Sequence, residues 1–281
     1  MKHCLIIFSL LLNTAVQAQQ LAPSTNTAPI SLAIPAMDID AAIKGDWRSD
    51  VNKARDGYRH PAQTLAFFGI KPDMTVLEIT PGAGWYTEIL APALKRTGKY
   101  IAALQRDPDD EDKRAAKIWL DKVATDPQHF GMVNVVEFSN LTPGFGSPAS
   151  VDAVLTFRNV HNWESIGTTK AMFHAFFDVL KPGGVLGVVD HRAKTDSDPK
   201  SSVNGGYLPQ AYVIRMATDA GFVLSASSEI NANAKDTKDY VAGVWALPPT
   251  LAMGKNDRDK LIAIGESDRM TLRFVKPPNT K

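Results

Sequence analysis

The segment Thr75-Val76-Leu77-Glu78-Ile79-Thr80-Pro81-Gly82-Ala83-Gly84-Trp85-Tyr86-Thr87 carries a strand, a glycine turn and a helix start in succession. Val76, Leu77 and Ile79 make a short β-type apolar run, suited to a strand covered on both faces. Pro81-Gly82-Ala83-Gly84 breaks that run, and a helical pattern follows from Trp85 to Leu94. Strand, glycine turn and helix in this order aim backbone N–H groups and a helix N-terminus at a polar ligand. Glu78 interrupts the apolar run, where a carboxylate is costly without a partner. A dinucleotide fingerprint fits poorly, because Gly-x-Gly-x-x-Gly/Ala needs a small residue where Thr87 stands.

Outward from this turn, apolar runs alternate with helical patterns. Upstream, Asp46–Gly57 is helix-compatible, and Pro61 starts a helix that Gly69 ends. Downstream, strand patterns lie at Tyr100–Leu104, Val133–Phe138, Val151–Phe157, Val185–Val189 and Phe222–Ser227. Helical patterns separate them: Asp107 to about Thr125, Ile166–Leu180 and Pro209–Ala220. A last strand, Met270–Val275, follows the long connection Asn231–Asp268 instead of a full crossover helix, so it is expected antiparallel. The series predicts an α/β, doubly wound, Rossmann-like sheet of seven strands, mostly parallel. Residues 37–281 are read as one domain, with a helical N-terminal extension and 231–268 as an insertion.

Composition narrows the function classes. The chain has 281 residues and a formal charge of +1, and it lacks a basic cluster with interleaved aromatics, so no nucleic-acid partner is expected. Lys2 and His3 precede an apolar run from Cys4 to Leu12, and Val16-Gln17-Ala18 offers the small residues of a cleavage site. Residues 1–18 therefore read as a signal peptide, and 19–36, rich in Ala, Pro, Ser and Thr, as a flexible leader. A periplasmic or secreted chain with no membrane attachment after cleavage is expected. Cys4 is the sole cysteine, so the mature chain has no disulfide, thiolate nucleophile or Cys metal site. Gly-x-Ser-x-Gly and phosphate-loop motifs are absent.

The Glu78–Gly84 turn resembles the first motif of class I S-adenosylmethionine-dependent methyltransferases, where an acid ends strand one and Gly-x-Gly-x-Gly follows. Thr80 here replaces the first glycine. The element series, the Lys181-Pro182-Gly183-Gly184 turn and the Ala220-Gly221-Phe222 step resemble the same family's domain. Arg59-His60-Pro61, Pro81-Gly82-Ala83-Gly84-Trp85-Tyr86, His161-Asn162-Trp163 and Leu272-Arg273-Phe274-Val275-Lys276-Pro277 together look like a group of bacterial exported "predicted methyltransferases".

The resemblance implies S-adenosylmethionine as cofactor and a small molecule as methyl acceptor. Glu78, Thr80, Gly82 and Gly84 are then the cofactor turn. Gln105 and Asp107 stand where the family places a ribose-binding acid, Asn140 is placed at the adenine, and Arg158 completes the expected cofactor set. Asp107 serves equally as a helix cap and Asn140 as a turn residue.

In an open parallel sheet, ligands bind beyond the carboxyl ends of the strands. That rule gathers Arg158–Trp163 and Asp190-His191-Arg192 at one rim. His161 is the first candidate for a general base and Asp190-His191 the second; Asn162, Trp163 and Tyr207 are candidate acceptor contacts. The alternative for His161-Asn162-Trp163 is capping and stapling of the next helix. Tyr240 and Trp245 in the long connection are candidate lid residues. No metal is expected, since His129 and His174 are scattered and no His-x-x-x-His spacing occurs. A ligand-binding protein of the same fold, without methyl transfer, stays open as a second reading.

Overall fold

The structure is a computed structural model. Beyond Met1 it describes residues 38–106 and 109–278, so the expected signal peptide and leader lie outside the described residues, as does Asp107. No helix among the described residues is long and apolar enough to cross a membrane.

Seven strands form one sheet: β1 (Thr75–Ile79), β2 (Lys99–Gln105), β3 (Asn134–Phe138), β4 (Val151–Phe157), β5 (Leu180–His191), β6 (Val223–Ser228) and β7 (Arg269–Val275). Their order is β3-β2-β1-β4-β5-β7-β6. All pairings are parallel except those of β7, which runs antiparallel to both β5 and β6. The predicted sheet and its one reversed strand are therefore present.

Consecutive residues of β1 enter different cores. Leu77 and Ile79 pack with Val154, Phe173, Phe176 and Leu186 on one face. Val76 packs with Leu65, Phe68, Ile89, Tyr100 and Trp119 on the other. Burial on both faces is why the strand lacks an apolar–polar alternation. Period two also puts Glu78 on the face of Val76, toward Tyr100 and Trp119.

Three local departures bear on the site. The pattern Asp46–Gly57 is two short helices, Asp50–Lys53 and Asp56–Arg59, preceded by another at Ile39–Ile43. Arg48 enforces the break: buried, it donates to Asp56 at 2.7 and 2.8 Å and to the Ile43 carbonyl at 2.7 Å. After the glycine turn, the helix begins at Thr87 and not at Trp85. Trp85 and Tyr86 are held in the turn instead, Trp85 beneath the Arg59 guanidinium at 4.8 Å and Tyr86 stacked on Phe157 at 3.6 Å. The helix expected over Ile166–Leu180 spans Thr169–Val179, and β5 runs on to His191, which places Asp190 and His191 inside a paired strand.

Candidate active site

The strand order reverses between β1 and β4, since β2 continues from one side of β1 and β5 from the far side of β4. Ligands of open α/β sheets bind at such a switch. The Asn159 amide spans it, donating to the Ile79 carbonyl at 3.0 Å and to Thr156 Oγ1 at 3.1 Å. Above it opens a cleft of about 790 Å³. Thr80, Gly82, Gln105, Asn140, Arg158 and His161 all line it.

One wall is the glycine turn. Thr80 takes φ +46° and Gly82 φ +58°. The left-handed conformation is easy for glycine and strained for threonine, so Thr80 keeps the turn's backbone at a cost of about 1–3 kcal/mol. A Cβ at Gly82 would meet nothing within 4 Å, which leaves the backbone open to the cleft. At Gly84, φ +86°, it would lie 3.0 Å from Trp119, so that glycine serves packing.

Under the turn, Glu78 is buried and accepts from Tyr100 at 2.6 Å. Tyr100 lies 2.8 Å from Thr87 Oγ1, which accepts from the Trp119 indole at 2.8 Å. An indole N–H only donates, so the chain of donors runs from Trp119 to Glu78. Burial pushes the Glu78 carboxyl up to about 7, against the hydrogen bonds of Tyr100 and Thr87. The folded state thus holds this proton more tightly than the unfolded chain. The stability it contributes is fully present below pH 4.5 and lost as pH rises through about 7. Glu78→Gln still accepts from Tyr100 but cannot ionise. It is expected to be more stable than the parent above pH 7, by up to about 3 kcal/mol, and to lose that advantage in acid. Urea unfolding at both ends of the range checks this, and a pH-independent difference contradicts it.

The opposite wall comes from β4 and β5. Asp190 is buried, and its Oδ1 lies 2.8 Å from His161 Nδ1 while accepting the His191 N–H at 2.7 Å. Its Oδ2 accepts the His161 N–H at 3.0 Å. The carboxylate therefore caps the short helix Val160–Ser165 and fixes the His161 ring at the same time. With both Asp190 oxygens accepting backbone N–H groups, His161 Nδ1 is the donor of the pair, which leaves the Nε2 lone pair as the basic site. His191 bonds Ser267 Oγ through Nδ1 at 2.6 Å. Desolvation, then the charges of His161 and Arg158, hold the His191 pKa well below its ordinary value, so this imidazole is neutral.

His161, Asp190 and His191 offer ligand atoms within 4.8 Å of one another. Both Asp190 oxygens are already spent on N–H donors, and guanidinium groups surround the cluster, which suits an oriented base better than a cation.

Most of the predicted site residues meet in this one cleft. Glu78, Thr80, Gly82, Gln105, Asn140, Arg158, His161, Asn162, Trp163 and His191 line it. Asn140 Oδ1 is buried without a hydrogen-bond partner, as an acceptor waiting for a ligand donor would be. Trp163 reaches the cleft from the core, where it packs on Phe176 at 5.4 Å. Tyr207 does not line the cleft: it is buried behind His191, and its hydroxyl donates to Asp236 at 3.2 Å. Of the lid candidates, Trp245 meets His161 edge to face with ring centroids 6.4 Å apart, whereas Tyr240 packs with the cluster of Leu247 and Leu261.

Residues not singled out from the sequence complete the cleft: Arg55 and Asn52 from the N-terminal helices, Asp109 and Asp112 after β2, and Glu266 and Ser267 before β7. Only the acidic start of the Asp110–Thr125 helix carried a signal, and it reads as ordinary helix capping.

The fold is the Rossmann-like one of class I methyltransferases. Among solved structures, the chain is similar to a SAM-dependent methyltransferase from Aquifex aeolicus, with a TM-score of 0.54 and 17% identity over 85% of this chain and 99% of that one. It is also similar to the [4+2]-cyclase SpnF, with a TM-score of 0.55 and 15% identity over 84% and 86%. No protein-family model matches the chain, and no curated protein matches its sequence. Identities this low speak for the fold, which SpnF shows can house another reaction.

Proposed function

We propose that the chain is an exported methyltransferase that uses S-adenosylmethionine to methylate a small molecule. One observation carries this reading: an oriented imidazole, His161 on Asp190, faces the same cleft as the open glycine backbone of the β1 turn. The residues present fit the cofactor. The bare backbone at Gly82 admits close approach, and the unpartnered Asn140 Oδ1 suits the adenine amino group. Glu78 lies beneath the turn, and Asp109 and Gln105 line the same cleft, where either would meet the ribose hydroxyls. When bound, the cofactor supplies an electrophilic methyl group whose bonding pair stays on sulfur, while the acceptor's own pair forms the new bond.

The protein's share is alignment and proton removal. His161 Nε2 takes the acceptor's proton, and Asp190 steadies the imidazolium that results. Neutral His191 adds no competing charge. Trp245 covers the base from the side of the long connection, and its indole face favours the cationic sulfonium.

Isothermal titration of the purified protein with S-adenosylhomocysteine is expected to show one saturable site per chain. Absence of heat at millimolar ligand would count against the assignment.

A further inference from the structure

The end of the cleft beside His161 and His191 holds more positive charge than the protein balances. Arg55, Arg59 and Arg158 line it, and Arg269 borders an adjoining hollow with Arg59 and Arg158. One carboxylate serves most of them: Glu266 pairs with Arg55 at 2.6 Å, Arg59 at 3.2 Å and Arg269 at 3.0 Å. Among the described residues, Arg158 forms no ion pair. The other nearby acid, Asp190, is occupied by His161 and His191. Four guanidinium groups thus face two carboxylates.

Hydrogen bonding is short in the same place. Arg55 Nη2, Arg59 Nη2 and Arg269 Nε are buried without a partner, and Arg59 is only 4% exposed. Buried charged donors are costly to leave unpaired, so their retention on a cleft wall points to a ligand that supplies acceptors. Guanidinium groups match carboxylate and phosphate oxygens in geometry as well as in charge. S-adenosylmethionine does not meet the demand alone: its tail is a zwitterion and its sulfonium adds positive charge.

We propose that the acceptor is anionic, with a carboxylate or phosphate group held by Arg55, Arg59 and Arg158 and its reacting atom presented to His161. This rests on the methyl-transfer reading and names the acceptor class for that site. An anion here also draws the cationic cofactor into the cleft.

The test is titration of the purified protein with malonate and with inorganic phosphate, against uncharged malonamide and against sodium chloride at equal ionic strength. Saturable binding of malonate or phosphate is expected, with none for malonamide, and the tighter of the two anions identifies the group. Arg158→Gln is expected to weaken anion binding about tenfold or more and S-adenosylhomocysteine affinity much less, which reassigns Arg158 from the cofactor set that the resemblance implies to the acceptor. Arg55→Gln, at a more exposed position, is expected to act in the same direction and keeps the test open if Arg158→Gln folds poorly. Anion binding no stronger than that of chloride overturns the proposal. So does an Arg158→Gln variant that loses S-adenosylhomocysteine affinity as steeply as malonate affinity, because the arginines would then serve the cofactor's own carboxylate. Binding of S-adenosylhomocysteine without anion binding overturns the anionic acceptor alone and leaves methyl transfer standing. Anion binding without S-adenosylhomocysteine binding overturns the assignment of this pocket to a methyl acceptor.

Discussion

Replacing His161 with alanine is expected to lower methyl transfer about 10²–10⁴-fold, the range over which a positioned base accelerates proton removal. The assay follows label from methyl-tritiated S-adenosylmethionine into a small-molecule extract of the source cells. S-adenosylhomocysteine affinity should stay near that of the parent, because the glycine turn and Asn140 are untouched. Asp190→Asn is expected to follow His161→Ala and also to destabilise the fold. Asp190 accepts N–H donors at both oxygens, so either orientation of an asparagine amide would turn an NH₂ toward one of them. Transfer by His161→Ala at more than about a tenth of the parental rate would remove the imidazole from the chemistry.

The second large effect is one of stability. Glu266 is buried among Arg55, Arg59 and Arg269. Burial alone would raise its pKa, but the charges of Arg59, Arg269 and Arg55 outweigh that and bring it down to about 2. Glu266→Gln leaves these guanidinium groups buried and uncompensated, at an expected cost of about 3–5 kcal/mol. The melting temperature should fall by about 6–20 °C. The folded pKa lies below the ordinary 4.5, so the stabilisation is complete above pH 4.5 and is lost as pH falls toward 2. The gap between parent and variant should therefore be widest near neutrality and narrow in acid. An unchanged melting temperature at neutral pH would show that the arginines find their balance elsewhere.

How much of this was legible in the sequence follows from which contacts are local. The strands read directly from apolar runs because both faces of the sheet are covered, as Val76 and Leu77 entering opposite cores illustrates. The antiparallel β7 followed from the missing crossover helix. His161 and Asp190-His191 could be gathered at one rim from topology alone, since parallel strands share a carboxyl end. Their direct bond could not, because nothing in the spacing of 29 residues specifies it.

Topology placed Arg158 at the rim, but the gathering of Arg55, Arg59 and Arg269 around Glu266 beside it was hidden for the same reason. Arg55 and Glu266 lie 211 residues apart, and each reads singly as a surface charge. The helix pattern over Asp46–Gly57 failed because the buried fork of Arg48 on Asp56 overrides local propensity. Tyr207 stands outside the cleft lining because its hydroxyl donates to Asp236, a partner that loop sequence does not announce. Glu78 was nearer to being solved: a carboxylate inside a buried strand demanded a donor, and Tyr100 on the adjacent strand β2 supplies it.

Methyl transfer in this cleft requires a cofactor bound on the Gly82 turn with its sulfur directed to the His161 end. A crystal structure of the protein with S-adenosylhomocysteine addresses it most directly. The adenosyl group is expected against Gly82 and Asn140, with the sulfur turned toward the His161 imidazole. An adenosyl group bound elsewhere, or a sulfur facing away from His161, would contradict it.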